Sequence, residues 1–204
     1  GRAWDIRWFE VDPCYIYHYF SGHREGDKLV FTAERLDRAS VSYAAEGQSL
    51  EGQVMGRPAR FTLDLASGGP AMVEALDDQP FALPVIDPRN TGKKHRHGYA
   101  ISVDEPQLDR WRKLMRIDLN DGSKQVHDFG DHCCISEASY VANPLSEQEE
   151  DGYLIGYVHD RERARSDAFL MQAGDISAGP IARIPLPQRV PHGYHGCWLP
   201  RWQA

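Results

Sequence analysis

The sequence predicts an all-β protein, and within that class a β-propeller. Its apolar segments alternate in polarity or are rich in aromatic and β-branched residues, which is typical of strands rather than helices. The 13 prolines and 18 glycines interrupt the chain often and leave little room for long helices. An internal repeat then favours a propeller over other all-β folds.

Four segments have the clearest strand pattern, and the last three of them run into a turn that contains glycine. They are residues 14–20, 61–65, 114–119 and 168–171. The first is aromatic and β-branched, whereas 61–65 and 114–119 alternate strictly. A short helix is expected only around residues 39–48.

Three aspartates mark the repeat, because each follows an apolar strand and precedes a glycine turn. Asp64, Asp118 and Asp175 are separated by 54 and 57 residues. Further strand patterns recur in the same phase, before the aspartates at 98–103 and 153–158 and after them at 71–73, 125–127 and 181–184. Each period thus holds about four strands, as in a propeller blade. A β-sandwich with similar hairpins is the alternative.

The length of 204 residues accommodates about three and a half such blades, whereas closed propellers usually have about 4 to 8. We therefore expect residues 1–204 to be part of one larger propeller domain, with no separate second domain.

The net charge, the apolar segments and the cysteines of the sequence argue against several classes of protein. With a net charge of −7, the chain lacks the broad positive field that nucleic-acid binding requires, which counts against a nucleic-acid-binding protein. No apolar run reaches the roughly 20 residues that a membrane-spanning helix needs, and no signal peptide is evident. The four cysteines have no CxxC spacing, so reduced thiols in a cytoplasmic protein are expected.

The phase of the repeat also locates the innermost strand of each blade, which lines the central channel of a propeller. These strands are predicted to begin near residues 13, 83, 135 and 191. The positions that stand near the same point of each strand are His18, Ala82, Glu137 and His195. Two imidazoles and one carboxylate on one axis would form half of a metal site with a supporting carboxylate. In a strand, His192 would face away from His195.

The sequence resembles the C-terminal part of the carotenoid cleavage oxygenase family, which includes apocarotenoid oxygenases, lignostilbene dioxygenases and the retinal pigment epithelium isomerase. The resemblance covers nearly the whole chain in four blocks. The blocks lie in residues 8–18, 84–99, 136–154 and 190–198.

The resemblance implies a seven-bladed propeller with Fe²⁺ on its axis, held by four histidines and oriented by three glutamates. His18 and His195 correspond to two of the metal ligands, and Glu137 to the carboxylate that orients His195. The implied reaction is cleavage of a carbon–carbon double bond in an apolar, elongated alkene by dioxygen, giving carbonyl products. Carotenoids, apocarotenoids and stilbenes are the implied substrates, and segments outside this chain leave room for peripheral membrane contact.

The sequence departs from the family pattern at three points that affect the implied iron site. Ala82 stands where the family has a glutamate, so His18 is expected to lack its oriented partner and Ala82→Glu to raise iron occupancy. Loss of such a group typically weakens metal binding or activity about 10–100-fold. Ser21 replaces an asparagine of the family. The other two histidines and one glutamate would precede residue 1, so this piece alone is expected to bind iron weakly and to be inactive.

Two alternatives to an oxygenase remain open. A non-catalytic propeller relative, acting as a binding or scaffold protein with a degraded metal site, is supported by Ala82. An unrelated propeller lectin or hydrolase could use Tyr19, Tyr194 and Trp198 to stack on sugars, although aromatic residues in strands more often pack in a core.

Overall fold

The computed structural model describes residues 5–39 and 55–200, and their regular structure is almost entirely antiparallel β-sheet. The all-β prediction is therefore confirmed. The predicted helix at 39–48 lies, apart from residue 39, outside the described residues. Within the described ranges, no helix has the length and apolar character that crossing a bilayer requires.

The strands form three sheets, each built mainly from strands that follow one another in the chain. The first has the order β1 (Tyr15–Glu25), β2 (Lys28–Leu36), β3 (Arg57–Asp64), β4 (Met72–Ala75). The second has β5 (Phe81–Val85), β6 (His97–Ser102), β7 (Lys113–Asp118), β8 (Lys124–Asp128). The third has β10 (Ser139–Ala142), β11 (Gly152–Asp160), β12 (Arg165–Gln172), β13 (Pro180–Pro185), with β9 (Cys133–Ile135) also paired to β11. Short 3₁₀ turns are at Pro88–Asn90, Leu108–Arg110 and Ile176–Ala178.

The predicted four-strand period agrees with these sheets. Asp64 ends β3, Asp118 ends β7, and Asp175 follows shortly after β12. Each carboxylate accepts backbone N–H groups of the turn that follows, as Asp64 Oδ1 does from Ala66 at 2.8 Å and Asp175 Oδ1 from Ala178 at 3.3 Å. These hydrogen bonds stabilise the reversal at the end of each third strand and lower the pKa of Asp64.

The predicted innermost strand near residue 191 is wrong. Residues 186–200 contain no strand. Pro187 and Pro191 lack the N–H group that a ladder requires, and glycines at 193 and 196 weaken strand formation. This terminal segment is held instead by isolated hydrogen bonds, such as the one that Val190 N donates to Ser166 Oγ at 3.0 Å.

The sheets pack face to face through aromatic and aliphatic side chains. Phe20 of β1 stacks on Phe81 of β5, with ring centroids 4.9 Å apart, and joins the first sheet to the second. A larger cluster joins the second sheet to the third, and its most deeply buried members include Tyr99, Leu114, Leu154, Phe169 and Met171. Burial of these side chains is the main stabilising contribution to the sheet-to-sheet interfaces.

Candidate metal centre

The three sheets converge on one cleft of about 520 Å³. The first sheet contributes His18 and Glu34 to its lining, the second contributes Ala82, and the third contributes Tyr157. The terminal segment completes the lining with residues up to His195. The cleft is therefore the place where residues far apart in sequence meet.

A pair of β-bulges sets the direction of His18. At the hairpin end β1 and β2 pair regularly, but Tyr19 lies opposite Ala33 and Ile16 opposite Arg35. Tyr17 and His18 consequently face the single residue Glu34. Two residues opposite one is the arrangement of a β-bulge, which redirects side chains and is frequent beside functional sites.

Glu34 is the acidic partner of His18, a role that the sequence pattern did not predict. Its Oε2 atom lies 2.5 Å from His18 Nδ1, and only 7% of the Glu34 side chain is exposed. The expectation that Ala82 leaves His18 without an oriented partner is therefore wrong. Ala82 is buried in β5 and lines the same cleft, but the carboxylate reaches His18 from β2 instead.

Glu137, in the loop between β9 and β10, holds the terminal segment. Its Oε1 lies 3.4 Å from His195 Nδ1, and its Oε2 accepts the backbone N–H of Gly196 at 2.7 Å. The carboxylate thus contacts both the imidazole and the adjoining backbone, which restricts the orientation of His195. A carboxylate on Nδ1 leaves Nε2 as the nitrogen available to a metal.

The imidazoles of His18 and His195 meet although they are 177 residues apart in the chain. Their ring centroids are 5.5 Å apart and the rings are inclined by 66°. Imidazole nitrogens are suitable ligands for iron, zinc, copper and nickel. Among residues 5–39 and 55–200, no group of three or more His, Cys, Asp or Glu side chains is arranged to hold a metal ion. The described residues therefore bring together two imidazoles that could each provide one nitrogen ligand to a metal ion.

His192 also lines the cleft, which contradicts the expectation that it faces away from His195. That expectation assumed strand alternation, and the segment is not a strand. His192 Nδ1 lies 3.9 Å from Cys134 Sγ. Burial lowers the pKa of His192, with Arg189 contributing in the same direction, and burial raises the pKa of the Cys134 thiol.

The rest of the cleft wall is largely aromatic and aliphatic. Its apolar side chains come from β1, β2, β5 and the segment between β6 and β7, and include Tyr17, Leu36, Phe81, Leu108 and Trp111. Such a surface favours an apolar ligand and provides few hydrogen bonds to water.

These features define an all-β protein in which two imidazoles, each facing a carboxylate, meet at an apolar cleft. A family profile described as RPE65, retinal pigment epithelial membrane protein, matches residues 1–200. The chain belongs to this family, that of the carotenoid cleavage oxygenases.

Curated relatives support the assignment. The carotenoid cleavage oxygenase of Mycobacterium tuberculosis (strain CDC 1551 / Oshkosh) is 31% identical over 98% of this chain and 40% of its own length. The carotenoid 9,10(9',10')-cleavage dioxygenase 1 of Arabidopsis thaliana is 29% identical over 95% of this chain and 38% of its own length. The isoeugenol monooxygenase of Pseudomonas putida is 26% identical over 97% of this chain and 44% of its own length. The chain thus spans less than half the length of these relatives.

Solved structures show the same fold. A cobalt-substituted Synechocystis apocarotenoid oxygenase superposes with a TM-score of 0.84 at 22% identity, over 93% of this chain and 40% of that one. A chimera of that oxygenase and RPE65 gives a TM-score of 0.83 at 22% identity, with the same coverage.

Proposed function

We propose that residues 1–204 are the C-terminal part of one seven-bladed propeller domain. In this proposal they contribute half of the Fe²⁺ centre of a dioxygenase that cleaves a carbon–carbon double bond. The observation that carries the proposal is the meeting of the His18 and His195 rings at 5.5 Å, each beside a carboxylate. The names of the relatives, which refer to carotenoid cleavage and to isoeugenol oxygenation, support the reaction class.

In this proposal His18 and His195 would hold the metal through Nε2, and two further histidines would come from outside the chain. Iron held there would supply the means of activating dioxygen. The overall reaction inserts both oxygen atoms of O₂ at one double bond, so that one alkene and one O₂ give two carbonyl compounds. The substrate is a carotenoid, an apocarotenoid or a stilbene.

The chain's own residues prepare this chemistry. Glu34 accepts a hydrogen bond from Nδ1–H of His18, and Glu137 accepts one from Nδ1–H of His195. These hydrogen bonds keep each ring in the tautomer whose Nε2 has the free electron pair. The apolar wall of the cleft, with Phe81 and Trp111, excludes water and binds an elongated apolar alkene beside the two rings.

Ala82 favoured the alternative of a non-catalytic relative with a degraded metal site. The contact between Glu34 and His18 removes that support, because His18 has a carboxylate partner after all. The oxygenase is therefore the better hypothesis.

The test uses the complete protein that contains this chain, purified with and without His18→Ala or His195→Ala. We expect the unsubstituted protein to bind about one Fe²⁺ and to convert an apocarotenoid or a stilbene into aldehydes while consuming O₂. Each substitution should lower iron occupancy and product formation. An unsubstituted protein that folds but binds no iron in an Fe²⁺ titration would contradict the proposal.

A further inference from the structure

We infer that Glu34 is the positioning residue that orients His18, a role that falls to β2 in this chain rather than to residue 82. The inference rests on the proposed function, since it concerns the same metal centre. It is drawn from the geometry around the Glu34 side chain, which is directed at His18 and packed so that it has little freedom to turn elsewhere.

The contact itself is specific. Glu34 Oε2 and His18 Nδ1 are 2.5 Å apart, which is closer than the roughly 2.7–3.2 Å usual for a hydrogen bond between nitrogen and oxygen. The Glu34 side chain is 7% exposed and that of His18 is 21% exposed, so water competes little for either group. A buried carboxylate requires a partner, and His18 provides one.

The backbone makes room for this carboxylate. A Cβ atom on Gly56 would lie 2.1 Å from Glu34 Cγ and 2.5 Å from Glu34 Oε1. Any side chain at position 56 would therefore displace Glu34. Gly56 also accepts, through its carbonyl oxygen, the backbone N–H of Phe81 at 3.1 Å, which fixes Gly56 against the start of β5.

The bulges in β1 are the second requirement. The regular register at the hairpin end pairs Gly22 with Phe31 and, continued without interruption, would pair His18 with Arg35. Glu34 would then point to the opposite face of the sheet from His18, because adjacent strand residues alternate. The shifts bring Glu34 opposite Tyr17 and His18. The bulges, Gly56 and Glu34 thus act together to place one carboxylate on one imidazole.

The position of Ala82 is consistent with this division of roles. Ala82 is 4% exposed and lines the same cleft as His18, Glu34 and Gly56. A glutamate at position 82 would add a second negative charge to a region where His18 Nδ1 is already occupied. Ala82→Glu is therefore not expected to raise iron occupancy, in contrast to the prediction from the sequence.

The experiment measures Fe²⁺ affinity of the complete protein by competition with a chelator, for Glu34→Ala, Glu34→Gln, Gly56→Ala and Ala82→Glu. We expect Glu34→Ala and Gly56→Ala to weaken binding about 10–100-fold, and Glu34→Gln to weaken it less because the amide oxygen still accepts a hydrogen bond. Ala82→Glu should not strengthen binding. Glu74→Gln, an exposed glutamate on β4 of the same sheet, is the matched control and should bind as the unsubstituted protein does.

The unfolding temperature of the metal-free protein separates positioning from a structural role. If Glu34→Gln lowers that temperature while the folded fraction binds Fe²⁺ with unchanged affinity, Glu34 only stabilises the sheet and the inference fails. The inference also fails if Ala82→Glu strengthens Fe²⁺ binding. That result would mean that Glu34 does not already orient His18. An unsubstituted protein without iron affinity would instead overturn the proposed function, so the two failures are distinguishable.

Discussion

The ring of Phe20 lies against the backbone of Gly98, so that a Cβ atom on Gly98 would come 2.5 Å from Phe20 Cε1. This contact brings β1 of the first sheet directly onto β6 of the second. Because Phe20 is two residues from His18, the packing of the two sheets also fixes the position of that imidazole.

Gly98→Ala is therefore expected to destabilise the protein by about 1–3 kcal/mol, the usual range for overpacking in a core. Urea denaturation measures the change. Gly69→Ala is the control, because its Cβ would meet only Ser67 Oγ at 3.6 Å, and we expect a change within about 0.5 kcal/mol. Equal effects of the two substitutions would mean that Phe20 can move away from position 98 without lowering the free energy of unfolding.

Gly156 of β11 packs against the backbone of Glu137. A Cβ atom there would be 2.7 Å from Phe169 Cζ and 3.1 Å from the Glu137 carbonyl oxygen. Gly156→Ala should therefore lower the free energy of unfolding. If His195 binds Fe²⁺ as proposed, the substitution should also lower Fe²⁺ affinity, because displacement of Glu137 alters the support of His195. Gly152→Ala on the same strand is the matched control, since it crowds Tyr140 instead. It should reduce stability while iron affinity is retained, and a loss of affinity in both variants would contradict this explanation.

Stability should depend on pH through His97, which is 4% exposed. Burial, followed by the charge of Arg116, lowers its pKa from 6.5 in spite of Glu150, Glu149 and Asp118 nearby. The unfolded chain then binds the proton more readily than the folded one, so stability decreases as pH falls below 6.5 towards the lowered value.

We expect the urea midpoint to be lower at pH 5.5 than at pH 7.5, and His97→Gln to reduce that difference. His132→Gln replaces an exposed histidine and should leave the difference unchanged. A pH dependence unaffected by His97→Gln would assign it to other groups.

The cysteines should differ in reactivity. Cys197 is exposed, whereas Cys133 and Cys134 are buried and their pKa values are raised by that burial. Since the thiolate is the reactive form, iodoacetamide should modify Cys197 well before Cys133 and Cys134 in the native protein. Mass spectrometry of digested peptides measures the order, and denaturant should abolish the difference. Equal rates without denaturant would mean that the β9 region opens readily.

Much of the fold could be predicted because its signals are local. Alternation within 61–65 and 114–119, together with the turns after Asp64 and Asp118, identifies β3 and β7 without knowledge of tertiary contacts. The prediction of a strand near residue 191 was wrong because the spacing of the repeat does not show whether the backbone there has hydrogen-bond partners. The carboxylate on His18 was missed because two bulges change the register between β1 and β2. A single sequence contains no clear signal for a bulge, although Gly56 and the acidic residue at 34 were both visible.

The arrangement of the sheets has a consequence for the order of folding. Most strand pairs join neighbours along the chain, so the contacts within each sheet span far fewer residues than the contact between His18 and His195. Contacts between residues nearer in sequence have the lower entropic cost of loop closure. His18 and His195 are 177 residues apart in the chain, so we expect their rings to approach each other after the three sheets have formed and docked. If the two rings bind iron as proposed, the uptake of iron should be a late event and would serve as a kinetic marker for completed assembly.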